Sequence, residues 1–579
     1  MLQLRLAATL RDHFLPTTWL HVLFAIPLLV GAACLFTWLV TTIQFRRTVA
    51  QIRSRSLAAS ATATANVKPI APPVLPYVVP WLGSALAFLN ENPGSFWTML
   101  RSKLAETGAS IPVCTILLGG QKAHVVSSAA AVQALFKSKH VSRDIFNHQL
   151  ATKALGSSQR DAEIMFPPTI TDTTHDQRDK DKADKADTME ALNHEFLLNQ
   201  SAVNALTKSF FDCLQREFDR AEFDHEWKSV HLFTWLKRVM FNVATTAVLG
   251  STILKLNPNL AEQFWDYEAG LLARFYGVPR LVKPEAYACL DVMLDKTQEW
   301  LELGRDQADF NPADDPEWEP LFGSKVVRAR HRLYERMGLT ARGKAAFDLG
   351  FLFGLQSNAV PITCWLLAHL FSPMTPAHVL PKIQTEIKAA QRPNGEIDIA
   401  ILSSQPLLNS ALHETMRQYV DSLVTRQLNK DMIIDGYLLK KNDLIMAPSS
   451  LSQHDPTFWE QEDAPSADSW YAERFLKHDD QTGRDYFSTS WTAGKFFPFG
   501  GGTQVCPGRV FAKQEILGAL AAILSRFDIK FVEFAGTDKN ANLVGLGKGA
   551  SGFPKVKRQY AGNGTLKMDG DICVQIRRK

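Results

Sequence analysis

The sequence predicts a mainly α-helical domain with small β-sheets, preceded by a single N-terminal transmembrane helix. Three stretches carry that reading. Trp19 to Phe45 holds no charged residue. Thr340 to Ser372 is apolar on nearly every face through its middle, as a long helix inside a core must be. The glycine-rich loop Phe496 to Arg509 carries a cysteine and leads into Val510, Ile516, Leu517, Leu520 and Ile523, which recur at helical period.

The N-terminal run has its core from Leu20 to Ile43, long enough to cross a bilayer at a rise of about 1.5 Å per residue. Pro27 and Gly31 are tolerated within such a span. Arg46, Arg47, Arg53 and Arg55 follow it closely, so the positive-inside rule places the following chain in the cytosol. Residues 1–45 therefore read as N-terminal segment and anchor, and 46–80 as a basic, proline-rich linker. Pro69, Pro72, Pro73, Pro76 and Pro80 make its second half stiff and extended, a spacer between membrane and globule. Residues 81–579 form the globular, catalytic part.

Composition excludes several classes. Hydrophobic residues at 46% and charged residues at 21% are values of a chain with ample core. A net charge of +4 is too small to argue for nucleic acid. The seven cysteines are scattered without a C-x-x-C pair, which argues against a disulfide scaffold or a zinc site and for a reducing compartment.

Within the globule, Val113–Leu118 and Ala123–Val126 flank Gly119-Gly120 as a hairpin. Residues 171–190 alternate Asp and Lys and read as a solvated loop. Segments 230–250, 261–276 and 284–304 carry apolar stripes at helical period. The long helix from Thr340, its N-cap, contains Pro361, which removes an N–H and should kink the helix about one turn earlier. Phe527–Phe534 and Asp571–Lys579 read as strands.

In the cysteine loop, Phe499, Gly502, Cys506 and Gly508 fall into the spacing F-x-x-G-x-x-x-C-x-G. The glycines let the backbone pass close to a flat ligand. Cys506, just before a helix N-terminus, gains peptide N–H groups that favour a thiolate. This loop resembles the haem-binding loop of the cytochrome P450 family, here of a microsomal, fungal-like type. The resemblance implies the cytochrome P450 fold and haem b, with Cys506 as the metal ligand and Phe499, Gly502 and Gly508 shaping its loop.

Other segments extend the resemblance. Glu414-Thr415-Met416-Arg417 and Glu473-Arg474-Phe475 stand in the order of the family's E-x-x-R helix and E-R-F segment, which implies a structural charge cluster of Glu414, Arg417 and Arg474. Arg426 sits on a strand where the family often supplies a haem-propionate partner. No W-x-x-x-R pair, another such partner, occurs around His194 to Phe211. Ala472 replaces the usual Pro, and Gln504 replaces a basic residue two before the cysteine. In the long helix, Ser357 and Asn358 take the candidate catalytic positions where most members have an acid and Thr. Asn358 followed three residues later by Pro resembles the branch containing cholesterol 7-alpha-hydroxylase and prostacyclin synthase.

The resemblance implies a membrane-anchored monooxygenase that oxidises a lipophilic small molecule with O2 and electrons from a separate NADPH–cytochrome P450 reductase. Specialised metabolism and a terpenoid, sterol-like or polyketide scaffold follow from its fungal-like character. The implied location is the endoplasmic reticulum membrane, single-pass, with the catalytic domain cytosolic. An isomerase or dehydratase of a lipid peroxide, needing no reductase, is the alternative, and a haem protein without turnover a third reading.

Overall fold

The computed structural model describes residues 17–61, 68–92, 94–167, 188–220, 223–307, 315–460, 464–538, 542–560, 562 and 564–579. Most of the charged segment 171–190 lies outside the described residues.

Taken in chain order, the elements that position the site are few. A long helix α1 (Thr17–Ala61) comes first, then strands β1 (Val113–Leu118) and β2 (Gln121–Val126), helix α2 (Ala129–Lys137) and strand β3 (Val141–Ser142). Helices α3 (Gln200–Arg220), α4 (Leu232–Leu249), α5 (Leu260–Phe275) and α6 (Pro284–Gln307) follow. The central pair is α7 (Ala341–Gln356) and α8 (Ala359–Phe371). Helix α9 (Pro406–Tyr419) leads into β4 (Val420–Asp421), β5 (Leu423–Leu428) and β6 (Leu444–Pro448). Helix α10 (Arg509–Arg526) runs into β7 (Phe527–Thr537), and β8 (Gly564–Thr565) and β9 (Asp571–Arg578) close the chain.

The expected hairpin forms in register, Val113 opposite Val126 and Leu118 opposite Gln121. Gly119 and Gly120 turn it with φ of 59° and 83°, the left-handed region a two-residue hairpin turn demands. It belongs to a five-stranded sheet in the order β1-β2-β6-β5-β3, a sheet closed only when chain segments 300 residues apart meet. One apolar core lies among the helices, with Trp365, Leu366, Leu408 and Leu520 fully buried in it. A second lies against the five-stranded sheet and includes Trp97, Val113, Ile116 and Ile445. The predicted terminal strands pair as β7 with β9, Phe527 opposite Arg578.

Two expectations need correction. The boundary at residue 45 is not a break: α1 runs on through the basic segment to Ala61, and Val49 and Ile52 are buried in the sheet-side core. Their spacing places both on one helical face, so packing holds this stretch helical. The proline run is no free spacer either. Leu75 is buried, its N–H donates to Thr115 O at 2.8 Å, and Thr115 N–H donates to Pro73 O at 2.8 Å. An extended chain beside a sheet edge finds its hydrogen bonds there.

Two helical stretches are long and apolar enough to cross a membrane. Residues 25–55 have mean hydropathy 2.0 and are 6% buried, whereas 341–371 is 72% buried and serves as the core helix. The latter is not one kinked helix but two, broken at Ser357 and Asn358. Thr340 caps it as expected, accepting from Gly343 N–H at 3.0 Å. Pro361 lies four residues after Ser357 and cannot donate to its carbonyl, so the ladder fails there.

Candidate functional site

The cysteine loop is held by its own backbone. Cys506 N–H donates to Phe499 O at 2.9 Å, and Gly500 N–H donates to Phe497 O at 3.0 Å. Gly502 has φ of 74°, and a Cβ there would stand 2.7 Å from Phe136 O of α2. A Cβ on Gly501 would meet the Phe136 ring at 2.3 Å. Glycine is therefore required at both positions for the loop to lie against α2. Phe136 and Phe497 pack edge to face at 5.4 Å and complete that seam.

Cys506 precedes α10, with Gly508 as its N-cap. Desolvation pushes the thiol up, while hydrogen bonds from the Gly508 and Arg509 N–H groups and the Arg509 charge pull it down. Peptide donors aimed at a sulfur are what a thiolate ligand needs. Arg509 also donates to Cys506 O at 3.0 Å.

The charge cluster expected from sequence is assembled. Glu414 and Arg417 are fully buried, joined by Nε to Oε2 at 2.7 Å and Nη2 to Oε1 at 2.9 Å. Arg474 Nε reaches Glu414 Oε1 at 3.0 Å, and Tyr471 N–H donates to the same oxygen at 3.0 Å. Each guanidinium has further acceptors: Arg417 donates to Gln453 O, and Arg474 to the carbonyls of Trp459, Pro465, Ser466 and Ser469. A carboxylate and two cations out of water are tolerable because nearly every donor is used. Phe475, next to Arg474, packs on Phe496 of the cysteine loop at 5.1 Å, which couples cluster and loop.

Arg426 lies on β5 with an unforeseen companion. The antiparallel pairing of Ser142 with Gln427 brings Arg143 to the level of Arg426. Burial lowers the Arg143 guanidinium, and burial together with the Arg143 charge lowers Arg426 to about 10. Among the described residues neither makes an ion pair with a carboxylate. Two converging buried cations without an anion fit a ligand that brings two carboxylates. Nothing local marks Arg143 in the sequence, since only the pairing of β3 with β5 places it there. With the cysteine sulfur, the glycine-lined loop and these cations, the residues fit an iron porphyrin with two propionates.

Ser357 and Asn358 occupy the helix break. Asn358 Nδ2 donates to Ser357 Oγ at 3.2 Å, while Asn358 Oδ1 accepts from Thr565 N–H at 3.0 Å and Thr565 Oγ1 at 3.2 Å. Gly564 has φ of 86°, and a Cβ there would lie 2.4 Å from Asn358 Oδ1. Strand β8, which carries Gly564 and Thr565, pairs with β4 just after the charge-cluster helix. The structure thus ties Asn358 to the C-terminal segment, a link no sequence motif announces.

A mainly helical domain with small sheets and a glycine-rich cysteine loop at a helix N-terminus defines a haem-thiolate protein. The family profile Cytochrome P450 matches residues 336–552. Cytochrome P450 monooxygenase calL of Penicillium decumbens is 28% identical, over 75% of this chain and 82% of that protein. Cytochrome P450 monooxygenase efuG of Hormonema carpetanum is 27% identical over 88% and 90%. Cytochrome P450 7A1 of Oryctolagus cuniculus is 25% identical over 80% and 87%. In fold, the chain is similar to the retinoic acid-bound cyanobacterial CYP120A1, with TM-score 0.59 and 18% identity over 89% of this chain and all of that one. The chain belongs to the cytochrome P450 family. It is an oxidoreductase of the monooxygenase type whose cofactor is haem b, bound through a cysteine thiolate.

Proposed function

We propose that Cys506 is the thiolate ligand and that the protein is a membrane-anchored monooxygenase hydroxylating or epoxidising a lipophilic small molecule. The cysteine loop carries this reading, because its sulfur has peptide donors and its glycines leave room beside it. When bound, the haem supplies O2 activation, which a thiolate ligand favours by pushing electron density onto iron. The chain's own residues bind and orient. Arg143 and Arg426 hold the propionates, and Glu414, Arg417 and Arg474 brace the segment on which Phe496 rests. Ser357 Oγ can accept and pass on a proton, whereas the Asn358 amide can only orient a neighbour.

Helix 25–55 supports a single anchor in the endoplasmic reticulum membrane, with the catalytic domain on the cytosolic face. Electrons come from a separate NADPH–cytochrome P450 reductase. Fungal relatives support a place in secondary metabolism and a terpenoid, sterol-like or polyketide substrate, and the P450 7A1 relatives are compatible with a sterol-like one. The domain division that follows is an anchoring helix continuous with the globule up to Ala61, then one catalytic domain.

The reduced, carbon monoxide-bound spectrum of the solubilised chain beside Cys506→Ser tests the ligand. A red-shifted Soret band in the wild type, lost in the variant, is expected; stoichiometric haem indifferent to the substitution overturns the assignment. Dependence of product on added reductase, NADPH and O2 separates monooxygenation from peroxide rearrangement.

A further inference from the structure

Beyond the break in the central helix, four rings stand in file. Trp365 of α8 stacks on Tyr419 at the end of α9, with centroids 3.9 Å apart and planes within 5°. The Tyr419 hydroxyl lies 2.8 Å from His369 Nε2. His369, one turn beyond Trp365, stacks on Trp470 at 4.5 Å and 5°. Trp470 is partly exposed and donates Nε1–H to Thr415 Oγ1 at 3.0 Å. Phe553 flanks the file, 6.2 Å from Trp365 and 4.8 Å from His369.

Packing alone does not call for this geometry. Aromatic pairs favour edge-to-face or offset contacts, and most ring pairs here are edge-to-face or tilted. These two stacks are the parallel ones, which gives their π systems the greatest overlap. The hydrogen bond joins them at the atom where chemistry is needed. A phenol that loses an electron becomes a strong acid and must release its proton to a base already in contact. Desolvation holds His369 at about 3, so its imidazole is neutral at physiological pH. With its proton on Nδ1, Nε2 can accept. Trp365 lies two turns from Asn358, about 10 Å along the helix.

We propose that Trp365, Tyr419, His369 and Trp470 form a radical-transfer relay that drains oxidising equivalents from the haem site to the surface when substrate oxidation fails. This rests on the monooxygenase reading above. In each passage Tyr419 gives one electron inward through Trp365 and its phenolic proton to His369 Nε2. Trp470 then returns one electron to Tyr419, and the proton goes back from His369 to the phenol oxygen. Trp470, one electron short, is restored by a surface thiol that gives up an electron and its S–H proton and ends as a thiyl radical. Two passages discharge a two-electron equivalent.

The test uses holoenzyme with hydrogen peroxide and no substrate, with and without glutathione, for the wild type, Tyr419→Phe and Trp470→Phe. Tyr419→Phe keeps the ring and removes the transferable proton; Trp470→Phe alters only a partly exposed residue. Expected are a tyrosyl signal by freeze-quench electron paramagnetic resonance that Tyr419→Phe abolishes, and Trp470 oxidation products by peptide mass spectrometry that glutathione suppresses. Haem bleaching should be several-fold faster in both variants, and glutathione should slow it in the wild type only. Unchanged bleaching, radical signal and Trp470 oxidation in variants that keep the thiolate band overturn the relay alone. A wild type without that band overturns the relay and the iron-site reading together.

Discussion

Asn358 and Thr565 are joined across 207 residues of chain by three contacts, the shortest from Thr565 N–H to Asn358 Oδ1 at 3.0 Å. The break in the central helix and the C-terminal segment are therefore one structural unit. Asn358→Ala leaves the buried Thr565 N–H unsatisfied, at a cost of about 1–3 kcal/mol. A lowered unfolding midpoint is expected, together with more peroxide released per NADPH consumed as the break loosens. Gly564→Ala should do at least as much damage, because its Cβ would collide with Asn358 Oδ1 and its φ of 86° disfavours any side chain. Differential scanning fluorimetry and a coupling assay check both.

Arg143 and Arg426 repel each other until an anion arrives. Arg143→Gln should accelerate haem loss, since a hydrogen bond to a charged group contributes about 1.5–3 kcal/mol, a factor of ten or more in affinity. The same substitution should leave the haem-free protein no less stable, because it removes one of two crowded cations. Haem transfer to apomyoglobin reads the first effect and denaturant unfolding of the stripped protein the second. A stripped variant clearly less stable than wild type would show that Arg143 has a packing role instead.

Glu515 on α10 is almost fully buried, its Oε1 has no partner, and burial raises it to about 8. A carboxyl raised on folding binds its proton more tightly in the folded than in the unfolded state. Its contribution is thus fully present below its ordinary value of 4.5 and is lost as pH climbs through about 8. Glu515→Gln should flatten the fall in stability across that window and leave the variant more stable than wild type at pH 8. Paired denaturation curves at pH 5, 6.5 and 8 check this.

Helix α1 also makes a testable division. A chain begun at Arg46 keeps Val49 and Ile52 and should match the full chain in stability. One begun at Lys68 loses both, at about 1.5–3 kcal/mol for each buried side chain. Equal stability of the two would mean that the packing of this segment contributes nothing. Unfolding of the two shortened proteins in urea decides between these outcomes.

The sequence by itself determined what depends on local pattern. The apolar run to Ile43, the hairpin at Gly119-Gly120, the cap at Thr340 and the loop around Cys506 are written in neighbouring residues, because turn geometry, capping and helical period act over a few positions. Glu414, Arg417 and Arg474 were legible only through the resemblance, since an i, i+3 pair alone is commonplace. Tertiary structure decided the rest. Arg143 meets Arg426 because β3 pairs with β5, and Asn358 holds Thr565 because the last strands fold back over the central helix. Val49 and Ile52 make the supposed linker a packed helix, and Trp365, Tyr419, His369 and Trp470 come into file from three separate segments. Each is a contact between groups distant in sequence, whose energy comes from burial and hydrogen bonding that no local pattern records.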